Sequence, residues 1–107
     1  MRPKLTATGA RGSWFAEVAG ERLPCVHCHW LNGRHYCDPH AEPGRPPWDE
    51  FITAIETCAK VVLTEDDHLG GGAFRRTGYI AVWSVANVQV CGSKLTFDMV
   101  DRLANLA

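Results

Sequence analysis

Four things are scarce in this chain: net charge, long apolar runs, repeats and catalytic signatures. Lysine and arginine total 11 against 12 acidic residues, a formal charge of −1. Residues 1–53 hold six basic and six acidic side chains, and residues 54–107 hold five and six. Neither half is a basic tail, which argues against a general polyanion binder that works by neutralising many phosphates. No window approaches the ~18 apolar residues of a membrane span. Residues 1–10 carry positive charge with no apolar stretch behind it, unlike a secretion signal. The expectation is a soluble, cytoplasmic protein. No internal repeat is present, so the chain is not a repeat array. No Ser/His/Asp order or paired-carboxylate spacing stands out, so an enzyme assignment has little support.

What is abundant is cysteine and histidine in one place. The 107 residues contain five of each, and three cysteines and four histidines fall between Cys25 and His40. An odd cysteine count, with Cys58 and Cys91 far from the rest, does not suit a secreted disulfide framework. In a reducing compartment such a cluster binds metal or does thiol chemistry, while isolated cysteines pack as small apolar residues.

Patterning predicts a single domain over residues 13–107 behind a flexible leader, residues 1–12. Alternation from Trp14 to Val18, ending at Ala19-Gly20, reads as a strand and turn. A second strand from Arg22 to Leu31, the turn Asn32-Gly33 and a third strand from Arg34 to Asp38 complete an antiparallel meander. Four prolines between Pro39 and Pro47 mark a loop. Phe51, Ile52, Ile55, Cys58 and Ala59 then follow helical spacing, predicting a helix over 47–59. Lys60–Thr64 reads as a buried strand and Glu65–Thr77 as a polar, glycine-rich loop. Tyr79–Val85 should be a central strand. Gly92-Ser93 as a two-residue turn pairs Val90 with Leu95, Val88 with Phe97 and Ala86 with Met99 on one face. Val100–Leu106 reads as a short C-terminal helix. The expected fold is α+β: a small, mainly antiparallel curved sheet or partly open β-barrel of about six strands, packed with one main helix.

Cys25, Cys28, Cys37 and His40 have the ligand types and spacing of a tetrahedral zinc site. With Asn32-Gly33 as the turn, Cys28 lies opposite Cys37 and Cys25 opposite His40. Residues three apart on a regular strand point to opposite faces, so Cys25 and Cys28 share a metal only if the strand breaks between them. Regular strands give a different set. His27, His29, Asp38 and His40 then share a face and could surround a metal with an open position, as in a small metal-dependent enzyme. A third reading needs no metal, with Cys28 and Cys37 packed in the core. A catalytic dithiol at Cys25–Cys28 has little support, because the following residues cannot continue as a good helix.

The segment Leu69–Gly78 offers backbone N–H groups and two arginines to an anion. Phe74 could stack a base while Arg75 and Arg76 pair with phosphate, as in single-stranded or flipped-base binding. It lacks the lysine and following hydroxyl of a phosphate-binding P-loop. A surface loop is the plain alternative. Glu65–His68 reads as a solvated turn, and most of the four tryptophans as core. The functional expectation is a non-catalytic binding module, with zinc as its possible structural cofactor. Its partner is a protein or a single-stranded or modified nucleic acid.

Overall fold

A computed structural model describes residues 5–9, 14–70 and 73–106, apart from the side chains of His68 and residues 73–75. Eight strands form one sheet: β1 (Ala7–Thr8), β2 (Phe15–Val18), β3 (Glu21–His27), β4 (Leu31–Asn32), β5 (His35–Asp38), β6 (Lys60–Gly70), β7 (Ala73–Cys91) and β8 (Lys94–Asn105). Among the described residues one α-helix, α1 (Pro46–Cys58), lies between β5 and β6. The sheet order is β1-β2-β3-β6-β7-β8-β5-β4, antiparallel except where β3 and β6 run parallel.

The expected fold of about six strands in a partly open barrel with a C-terminal helix is therefore corrected. Among the described residues the sheet has eight strands and is not closed, and residues 94–105 form a strand. Val100 and Leu103 have helical spacing, but backbone pairing decides otherwise. Residues 81–83 of β7 already pair with β6 on one side, and Asn105, Ala104 and Arg102 take the other. A helix there would leave a central strand's polar groups unpaired.

The expected meander is also corrected. β2 and β3 form a hairpin across Ala19-Gly20, but β3 does not continue to Leu31. A 3₁₀ turn over Cys28–Trp30 breaks it and carries the chain to the far edge of the sheet. There β4 and β5 pair Leu31 with Tyr36 and Asn32 with His35. The turn residues are Gly33 and Arg34, and Gly33 takes the positive φ of +64°. A first central glycine suits this kind of hairpin turn.

A third correction concerns Glu65–Thr77, which is a continuation of the β6–β7 hairpin. Its register sets Asp66 against Arg76 and Asp67 against Arg75, so oppositely charged residues face each other across the ladder.

α1 begins at Pro46-Pro47, where missing N–H groups cost nothing. Asp49 accepts a hydrogen bond from the Gly44 N–H at 2.9 Å, tying the incoming loop to the first turn. The helix buries Phe51, Ile52 and Ile55 and ends at Ala59 in the left-handed region. Along β6, Val61 and Leu63 join a core with α1, Tyr36, Leu95, Phe97 and Met99. Val62 joins a second core with Ala16, Val18, Leu23, Cys25, Val82 and Leu106. Burial on both faces explains the unbroken apolar run of β6. Within residues 1–12, Leu5 bridges Leu106 and β1 pairs with β2. Among the described residues, no helix is long and apolar enough to cross a membrane.

Candidate functional site

The densest polar chemistry lies where β3, β6 and β7 meet. Thr64 and Asp66 are two residues apart on β6, and both are buried. The Thr64 hydroxyl lies 2.8 Å from Asp66 Oδ2 and 3.2 Å from the Val26 carbonyl. His27, at the end of β3, sets its Nδ1 2.5 Å from the same Asp66 oxygen. His29, in the 3₁₀ turn, places Nε2 2.6 Å from the Asp66 carbonyl, so there Nε2–H donates.

The other Asp66 oxygen, Oδ1, has no hydrogen-bond partner, and neither do Arg76 Nε and Nη1. Arg76 Nε stands 4.0 Å from Asp66 Oδ1, with the two side chains 10% and 0% exposed. This is a charge pair just beyond hydrogen-bonding range. The Arg76 guanidinium carbon also lies 5.7 Å from the centre of the Tyr79 ring. Cys25 is nearby, and burial pushes its thiol up to about 11, with Arg76 lowering and Asp66 raising it. Tyr36 presents its hydroxyl 3.4 Å from the His27 backbone N–H. Burial holds that phenol well above its usual range, helped by Asp38 and Asp66 and opposed by the His27 hydrogen bond.

The Cys/His cluster is placed differently from the regular hairpin. Cys25 is buried on β3 beside Val62 of β6. Cys28 lies in the 3₁₀ turn against the α1 core, and Cys37 lies on β5 opposite Thr96. His40 follows β5, with its N–H donating to Asp38 at 2.8 Å and its ring 5.3 Å from Trp30. The register that set Cys25 opposite His40 does not form, because the two strands pair with β6 and β8 instead. All five cysteines are free. Among the described residues, no group of three or more His, Cys, Asp or Glu is placed to hold a metal. Of the open-site residues, His27 and His29 do meet at Asp66, while Asp38 binds the His40 backbone.

Of the anion-binding segment, Arg76 is drawn into this site, while the Phe74 and Arg75 side chains lie outside the described residues. Asp66, expected in a solvated turn, is instead the buried centre of the cluster. The signal that could have found it is charge: Asp66-Asp67 mirrors Arg75-Arg76 across three consecutive glycines in the sequence. The tryptophans are less buried than expected. Trp14 is 37% exposed and packs edge-on against Trp48 and Phe51.

No protein-family model, curated protein or solved structure matches the chain.

Proposed function

We propose that this chain is a small, non-catalytic binding module whose β6–β7 hairpin engages single-stranded nucleic acid. The supporting observation is Arg76, whose side chain is nine-tenths buried and ion-paired with Asp66 at 4.0 Å, and which has two nitrogens with no hydrogen-bond partner. An unsatisfied buried donor costs roughly 1–3 kcal/mol, and more when charged, so an incoming acceptor is favoured there. Arg75 and Phe74 precede it in sequence and bring a second cation and a stacking ring to the same segment. With a net charge of −1, affinity rests on these few contacts and not on a broad positive field.

The test is fluorescence anisotropy with a labelled single-stranded oligonucleotide over a series of salt concentrations. Binding should weaken with salt with a shallow slope, corresponding to about one or two phosphates. Arg75→Ala combined with Arg76→Ala should abolish it. No binding by the unmodified protein removes the proposal.

A second reading, a small metal-dependent enzyme, is favoured by the contact between His27 Nδ1 and Asp66. A carboxylate holding one imidazole nitrogen is how metal-bound histidines are commonly oriented. Metal analysis of protein purified without a histidine tag decides it. Exchangeable metal with unchanged stability supports this reading. A tightly held zinc whose removal unfolds the chain supports a structural site at Cys25, Cys28, Cys37 and His40. No metal removes both.

A further inference from the structure

We infer that the last residues of β7 pair edge to edge with a second copy of this chain. β6 begins at Lys60, opposite Ser84, and the Ala59 carbonyl then takes the Val85 N–H at 2.9 Å. Beyond that point residues 86–91 pair with β8 on one side, and among the described residues no strand lies on the other. Val85 directs its N–H away from β8. By alternation Ala86, Gln89 and Cys91 face β8, Val88 and Val90 turn their backbone groups outward, and Asn87 absorbs the extra position. An uncovered edge of this kind is a template for another strand.

The side chains say which strand fits. Outward-facing residues alternate, so a two-fold antiparallel pairing is centred on one residue and sets it against its own copy. A charge at that centre repels itself. The other long stretches with one neighbouring strand carry charge: Glu65, Asp66 and Asp67 on β6, Arg76 on β7, Asp101 and Arg102 on β8. Residues 86–93 carry none. Centred on Gln89, the pairing exchanges N–H···O=C bonds between Val88 of each copy and Val90 of the other. Val88 packs against the core that holds α1, and Val90 is 39% exposed beside the buried Leu95. The second copy's Val90 therefore lies next to Val88 and extends that core across the axis. On the opposite face the exposed Gln89 meets its own copy, amide to amide. Valine on valine and amide on amide is a self-match that asks for no foreign partner. So short a contact buries little surface, and the association is weak and reversible.

Sedimentation equilibrium of the unmodified protein from about 10 µM to 1 mM, the range in which such small interfaces associate, should show a reversible monomer–dimer equilibrium. Gln89→Lys sets two ammonium groups against each other and should weaken the dimer at least about tenfold, with part of the loss recovered in high salt. Position 89 faces its copy as a non-hydrogen-bonded pair, with Cα atoms about 4.5 Å apart and within disulfide reach. In protein carrying Gln89→Cys and Cys91→Ala, mild oxidation should therefore link two chains through position 89, as mapped by mass spectrometry. That cross-link decides the matter should the lysine variant fail to fold. A monomer throughout the concentration range overturns the inference. So does a dimer that Gln89→Lys leaves intact and that oxidation does not link at position 89, since its contact lies elsewhere.

Discussion

Asp66 gathers most of the polar chemistry of the molecule on one side chain. Its carboxylate takes the Thr64 hydroxyl and the His27 ring on one oxygen and leaves the other facing Arg76. Two residues of sequence separate it from Thr64, the strand period that puts both on one face. The same neighbourhood makes Cys25 a reporter of burial. Its thiol goes from 9.0 to about 11, first through burial and then through the opposed fields of Arg76 and Asp66. The proton is thus held more tightly in the folded state than in the unfolded one. The resulting stability is fully present below pH 9 and is lost as pH rises through 11. Urea denaturation should therefore show stability falling over this window, more steeply for the unmodified protein than for Cys25→Ala. The difference should be on the order of 2–3 kcal/mol across the window. Tyr36, whose phenol is also raised by burial, keeps part of the alkaline loss in both proteins. Equal slopes would show that the Cys25 thiol ionises alike in both states.

Elements whose turn and face agreed were legible from sequence alone. The 92–93 turn does pair Val90 with Leu95 and Gln89 with Thr96, and Gly92 takes the positive φ of +59°. The helix begins within one residue of the expected start, because the two prolines leave little choice. Further along β7 the register slips, and Ala86 faces Asp98 while Val85 faces Met99. The cause is Asn87, a non-glycine residue at φ +57° that absorbs an extra position. Nothing in the alternating pattern announces such a bulge. The β6–β7 extension was hidden for another reason: three consecutive glycines and a polar flank have the composition of a loop, and only pairing reveals a strand. The candidate site was half legible. Its histidines and Arg76 stood out as residue types, but Asp66 became buried through that unseen hairpin. The bulge gives a direct test. Asn87 also donates from Nδ2 to Asp98 at 2.9 Å. Asn87→Gly relieves the backbone but loses that exposed bond, so its stability should change by less than about 1 kcal/mol. Asn87→Val puts a branched side chain in the left-handed region and should cost about 1–3 kcal/mol. Chemical denaturation of the two variants side by side checks the ordering, and equal costs would remove the role assigned to this bulge.

The whole molecule is held by strands that are distant in sequence. β3 runs parallel to β6 across an excursion that lays β4 and β5 on the far side of β8 before α1 returns the chain. The second core draws on residues far apart in sequence, from Ala16 to Leu106. Leu106 is 4% exposed and shares a core with Ala16, Val18 and Leu23. Its N–H donates to the Ile80 carbonyl at 3.0 Å, and the Leu5 N–H donates to the Asn105 carbonyl at 2.9 Å. The last residues of β8 thus complete the ladder on β7 and fasten Leu5. Ending the chain after Val100 would strip Ala81, Val82 and Trp83 of their partners on that side and empty the place of Leu106. A central strand cannot leave that many backbone groups unpaired within a core without losing the packed state. The shortened protein should therefore lose its cooperative thermal transition, and the amides of residues 81–83 should exchange with solvent rapidly. A terminal helix lying on the surface would make the opposite prediction, a modest loss with those amides still protected. Retention of a sharp transition and slow exchange at 81–83 would show that the second half of β8 is dispensable to the sheet.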